Sequence, residues 1–269
     1  MNLLLLTPLL LANLQRPEGV RISYETRGES DTALVFVPGW ASERGAWREQ
    51  AAYFAGTYQV VTFDLAGHGQ STPGRRKVWT LAKLAADVGA VVERLKAPKV
   101  ILIGHSMGGL ISLLAAAHLP KVRAVIVVES VHNADANLTR EQAEQFAGMF
   151  TKDFRGTMTK VIGDMFPAGS PLAGEVTANA LKCDPVMLTA LIRDYPQVDF
   201  PAMLRAVKVP IRAIDAAPRM PGDPATNLAV NRKYSDFDAT VLNGVGHFLM
   251  LEKPGEFNAL LREWLAALR

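Results

Sequence analysis

From Val20 onward, short runs of β-branched and apolar residues alternate with longer stretches whose apolar positions recur every three or four residues. VRISYET and TALVFV, parted by the turn-forming GESD, predict two strands joined as an opening hairpin. GAWREQAAYFAG predicts a helix, QVVTFDL a strand, and AGHGQSTPG a glycine-rich loop. Leu81, Leu84, Val88, Val91 and Leu95 hold helical spacing until Pro98 breaks it. KVILIG and VRAVIVVE are continuous apolar runs, as strands buried on both faces require, with the helical HSMGGLISLLAAAHL between them. This order predicts an α/β fold: a mostly parallel twisted sheet with helices on both faces.

The alternation stops after Asn133. LTREQAEQFAGMF opens a helical stretch reaching about Ala206, with Thr139 and Gln142 spaced as a capping box. Strand patterning resumes in VPIRAID and DATVLNG, and FNALLREWLAALR predicts a closing amphipathic helix. The expected organisation is a core of residues 20–132 and 207–269, with a helical cap inserted at 133–206. Residues 1–19 form a leader. Its apolar run, MNLLLLTPLLLAN, is too short and too broken by Thr7 and Pro8 to span a bilayer. It could be the h-region of a signal peptide ending near Ala12, although no Lys or Arg precedes it, or else a segment packed on the surface as a helix. Export to the periplasm or beyond follows from the first reading and a cytoplasmic location from the second.

Composition narrows the function classes. With 49% hydrophobic and 20% charged residues over 269 positions, the chain has the make-up of a soluble globular enzyme. A net charge of +3, from 29 Lys and Arg against 26 Asp and Glu, argues against a nucleic-acid partner. The single cysteine, Cys183, excludes an intrachain disulfide or a multi-cysteine zinc site. No metal or organic cofactor is expected.

The chemistry concentrates in Gly104-His105-Ser106-Met107-Gly108, a G-x-S-x-G placed between a buried strand and a helix. Glycines allow the tight turn that exposes a serine hydroxyl, and the following helix aims its amino terminus at the site. A serine needs a base, and His247 in Gly246-His247-Phe248 follows the last strand, where loops face the same sheet edge. His68 in the glycine-rich loop, His105 beside the serine, His118 at a helix end and His132 at the start of the insertion read as structural or exposed.

Several motifs together resemble the α/β-hydrolase family, in its capped, serine esterase-like or lipase-like branch. LVFVPGW resembles the oxyanion-loop strand, VVTFDLAGHGQS the D-x-x-G-H-G-x-S segment, ILIGHSMGG the serine turn, and NGVGHFLMLEKPGEFNALL the histidine loop with its closing helix. The likeness runs from about Val20 to the C-terminus. It implies oxyanion donors in the backbone N–H groups of Trp40 and Met107. The family usually carries His where Pro38 stands, which leaves the bracing of that loop to be explained.

The third triad member is the open point. Most of the family places the acid about eight residues beyond the proline of VPIRAI, where this chain has Pro218, with Asp215 and Asp223 nearby. Other relatives carry it one strand earlier, and here AVIVV ends in Glu129. A carboxylate closing a buried strand needs a partner, and an imidazole N–H is a suitable one. Glu129 is the favoured acid, ahead of Asp215 and Asp223.

The expected function is hydrolysis of carboxylic esters of small to medium hydrophobic substrates through an acyl-enzyme, with Phe146, Met149 and Phe150 lining the pocket. The same scaffold also hosts lactonases, carbon–carbon hydrolases, haloperoxidase-like enzymes and slow-turnover ligand receptors. Dehalogenase and epoxide hydrolase chemistry is disfavoured, because it needs a carboxylate nucleophile where Ser106 stands.

Overall fold

The computed structural model describes residues 9–218 and 221–268. Eight strands form one sheet: β1 (Leu10–Gln15), β2 (Arg21–Arg27), β3 (Thr32–Val37), β4 (Gln59–Phe63), β5 (Lys99–His105), β6 (Val122–Val128), β7 (Ile211–Pro218) and β8 (Phe237–Val245). Their order across the sheet is β1-β2-β4-β3-β5-β6-β7-β8. β2 is antiparallel to β1 and β4, and every pairing from β4 to β8 is parallel.

The apolar runs account for the middle of the sheet. All of β5 except Lys99 and all of β6 except Arg123 is buried, as strands covered on both faces must be. The core helices are α1 (Arg48–Phe54), α2 (Leu81–Arg94) and α3 (Met107–Ala116), then α9 (Pro224–Arg232), α10 (Leu249–Glu252) and α11 (Pro254–Ala267). The Thr80 side chain caps α2 by accepting from Lys83 N, and the Leu81, Leu84, Val88, Val91 stripe is its buried face. Helix α3 is buried nearly all round, because it lies between the sheet and α2.

Between β6 and β7 the chain runs through five helices: α4 (Arg140–Lys152), α5 (Phe154–Gly163), α6 (Leu172–Ala180), α7 (Pro185–Asp194) and α8 (Phe200–Ala206). The capping box opens α4, with Gln142 N on Thr139 Oγ1 at 3.1 Å and Thr139 N on Gln142 Oε1 at 2.9 Å. No helix among the described residues is long and apolar enough to cross a membrane.

Two expectations change. The opening hairpin does not exist, since β4 lies between β2 and β3. The pattern that makes a run a strand does not say which neighbour it pairs with, and β3 takes the parallel site between β4 and β5. The leader is in part an element of the fold: Leu10–Gln15 is the edge strand, paired antiparallel with β2, and not a surface helix. Residues 1–8 of that leader lie outside the described residues. Asp223 caps α9 by accepting from Thr226 N and Oγ1.

A buried ion-pair network fastens the first turns to α2. Asp87, 1% exposed, takes Arg76 at 2.6 and 3.1 Å and Arg16 Nε at 3.0 Å, while Glu18 lies 3.4 Å from Arg76 Nε. Removing one partner of a buried pair leaves an uncompensated charge. Asp87→Ala is expected to cost about 3–5 kcal/mol in urea unfolding; a loss under about 1 kcal/mol would show that the network carries no such weight.

Candidate active site

The strand order reverses about β3 and β5, which opens a crevice at the carboxyl ends of the parallel strands. Each chemically interesting residue follows one of those ends: Trp40 after β3, Ser106 after β5, Glu129 after β6, His247 after β8.

Ser106 holds φ 54° and ψ −123°, a conformation that costs about 1–3 kcal/mol and is kept only where its surroundings impose it. Ser106 N donates to Val128 O at 2.8 Å and Gly109 N to Ser106 O at 2.9 Å, pinning the turn on both sides. The flanking glycines are required by close approach. A Cβ on Gly104 would lie 2.3 Å from Gly108 O, and one on Gly108 would lie 2.4 Å from Pro38 O. The serine turn and the loop after β3 are therefore in direct backbone contact. Met107 begins α3, so its N–H has no acceptor within the helix.

Glu129, 3% exposed, also has a positive φ, 51°. Its Oε2 lies 3.1 Å from His247 Nδ1, and its Oε1 accepts from Ala216 N at 2.6 Å and stands 3.4 Å from His132 Nε2. Burial alone would raise this carboxyl, but the bonds from His132 and His247 outweigh it and bring it down to about 2. With Nδ1–H given to a carboxylate, the lone pair of His247 is on Nε2. His247 and Ser106 line the same cavity.

Asp215 is also buried, at 3% exposed, but it lies apart from His247 in its bonding. Its Oδ1 has no hydrogen bond among the described residues and stands 3.5 Å from His132 Nε2. Burial pushes its carboxyl up to about 7, with His132 working against the shift and Glu129 adding to it. Two neighbouring acids are thus driven in opposite directions, and it is Glu129 that meets the histidine. Glu129, His132 and Asp215 each offer a ligand-type atom within 4.8 Å of one another. Sequence reasoning treated His132 as structural or exposed, and nothing in the sequence shows it standing between two buried acids.

The cavity, of about 160 Å³, has an apolar wall that includes Trp40, Phe146, Met165, Leu191, Ile192 and Phe248. No Lys, Arg, Asp or Glu is among its described lining residues. Of the three residues expected from α4, only Phe146 reaches it. Phe150 is 1% exposed and packs its ring 5.1 Å from that of Trp40, outside the lining. Met149 is 45% exposed, because the inward stripe of α4 is Ala143, Phe146, Ala147 and Phe150, and Met149 falls on the flank beside it.

Neighbouring groups brace this arrangement. Trp40 Nε1 donates to Leu188 O at 3.0 Å, so the loop that lacks the family's histidine at Pro38 is tied to α7 instead. Asp64 accepts from Arg44 N, Gln70 N and Arg44 Nη1 at 2.7, 2.9 and 3.0 Å, which makes it a loop-bracing acceptor. His68 is buried, and burial takes its imidazole down to about 4; His118 is exposed. Burial likewise pushes the Cys183 thiol up to about 12, leaving it inert.

The pattern of the α/β hydrolase fold family matches residues 32–168. The chain is 31% identical over 138 residues to 3-oxoadipate enol-lactonase 2 of Acinetobacter baylyi, covering 51% of this chain and 50% of that protein. It is 32% identical over 136 residues to the pimeloyl-[acyl-carrier protein] methyl ester esterase of Xanthomonas axonopodis pv. citri, covering 48% and 51%. The chain thus spans about half the length of these relatives. Among solved structures, a thermophilic esterase from Thermogutta terrifontis superposes with a TM-score of 0.82 at 20% identity, over 96% of this chain and 99% of that one.

Asp215 binds its proton more tightly folded than unfolded, so its contribution is greatest below 3.8 and is lost as pH rises to about 7. Asp215→Asn removes that loss. Thermal melts should show the variant gaining on the wild type between pH 3.8 and about 7; parallel curves would contradict the assignment.

Proposed function

Since this chain belongs to the α/β hydrolase fold family, we propose that it is a serine hydrolase that cleaves carboxylic esters with a small to medium apolar acyl group. The observation that carries this reading is the 3.1 Å contact of Glu129 with His247 Nδ1, in a buried setting, with Ser106 on the wall of the same cavity. In this scheme His247 Nε2 takes the Ser106 proton, the oxygen attacks the ester carbonyl, and the N–H groups of Trp40 and Met107 receive the oxyanion. Each such donor contributes about 3–4 kcal/mol to the transition state. Glu129 holds the imidazole in the Nδ1–H tautomer and balances the charge it gains. The imidazolium returns its proton to the departing alcohol, and a water activated by the same nitrogen then releases the acid and frees Ser106.

The lining supports the substrate class. A cavity without described cations does not compensate a carboxylate on the acyl chain, so neutral esters fit best. Its volume, about 160 Å³, suits short and medium chains better than long ones. The helical insertion, residues 133–206, serves as the cap: Phe146, Met165, Leu191 and Ile192 close the acyl pocket above the serine. A neutral lactone, being a cyclic ester, would follow the same steps.

The test is a panel of p-nitrophenyl acetate, butyrate and palmitate with a neutral lactone, run on the wild type and on Ser106→Ala. The wild type should turn over the short esters roughly tenfold or more faster than palmitate, whose chain outgrows the pocket. Ser106→Ala should lose about 10³-fold or more. Equal rates in the two proteins, or no turnover of any ester, would contradict the proposal.

A further inference from the structure

His105, the residue between Gly104 and the serine, is a buried imidazole that the scheme above does not use. It is 1% exposed at the end of β5, boxed in by aromatic rings: its ring centroid is 4.6 Å from that of His247, 4.9 Å from Phe248 and 6.4 Å from Trp47. Its Nε2 lies 2.8 Å from the backbone oxygen of His247. A carbonyl can only accept, so Nε2 carries the proton. Nδ1 is then a bare lone pair, with no hydrogen-bond partner among the described residues. It faces Gly39, where an added Cβ would stand 3.0 Å away. The surroundings therefore select one tautomer, and that tautomer is a donor to His247.

The other side of His247 is held as well. Its N–H donates to Met165 O at 2.7 Å, and Gly246 N donates to Glu252 Oε2 at 2.8 Å. The peptide groups before and after the His247 α-carbon are both fixed, which sets the direction in which its side chain leaves the backbone. One of these ties comes from the helical insertion and the other from the serine turn itself.

We infer that His105 is a positioning residue: its Nε2–H holds the His247 carbonyl and so locks the distance between the serine turn and the base. This rests on the reading of His247 as base. Because His105 and Ser106 share a peptide bond, the tie couples the serine turn directly to the backbone of His247. Burial, with the nearby charge of His247, keeps the His105 imidazole neutral, down to about 3, so it does not compete when His247 gains a proton.

The experiment compares His105→Phe, which keeps the ring and loses the donor, with His105→Gln, whose amide restores a donor. On p-nitrophenyl butyrate, His105→Phe should lower kcat roughly 10- to 100-fold, as small misplacement of a base does, with KM unchanged within about twofold. His105→Gln should recover most of the loss. A folded His105→Phe with kcat within about twofold of wild type, or a His105→Gln no better than His105→Phe, would overturn the inference. ¹⁵N-histidine NMR separates this from the hydrolase reading, since it needs no turnover. His105 should be the Nε2–H tautomer, and the His247 signals should broaden or double in His105→Phe. An Nδ1–H tautomer, or His247 signals unchanged by the substitution, would overturn the inference even if the wild type hydrolysed every ester.

Discussion

A carboxylate that ends a buried strand must be paired or give up its charge, and in this molecule that constraint organises everything around it. Glu129 is satisfied by Ala216 N, His132 and His247 together, and those bonds hold it ionised against its own burial. Asp215, a few ångströms away and almost as deeply buried, lacks an equivalent donor on Oδ1 and is driven the other way. The difference between the two acids lies in their partners.

The rest of the structure brings those partners to one edge. Parallel strands with crossover helices put their carboxyl ends on the same side, so loops distant in sequence meet without any one of them being long. The turns are tight enough that Gly104 and Gly108 have no room for a side chain. The helical insertion is hydrogen-bonded to this edge. Its Leu188 carbonyl takes the Trp40 indole N–H and its Met165 carbonyl takes the His247 N–H, so both flanks of the crevice are tied to it.

Much of this was legible in the residues. Continuous apolar runs such as KVILIG and AVIVV announce strands buried on both faces, and G-x-S-x-G between such a strand and a helix announces the turn. What was not legible depends on neighbours distant in sequence. Alternation in VRISYET and TALVFV fixes strand character but not pairing, so β4 between them was unforeseen. That Leu10–Gln15 pairs with β2 as an edge strand is likewise not written in its run of apolar residues. Met149 and Phe146 are close neighbours on the surface of α4, three residues apart, and only the packing of that helix leaves Phe146 in the cavity wall and Met149 45% exposed. Hydropathy is equally silent about His105 and His132, whose partners are a carbonyl 142 positions away and a pair of buried acids.

The central claim, that Glu129 is the group that makes His247 a base for Ser106, is tested most directly by the rate of covalent labelling with a serine-directed fluorophosphonate, mapped by mass spectrometry. The account predicts a single adduct on Ser106, forming far more slowly in Glu129→Gln than in the wild type, and little changed in Asp215→Asn and Asp223→Asn. Labelling of Glu129→Gln at the wild-type rate, or an adduct anywhere but Ser106, would contradict it.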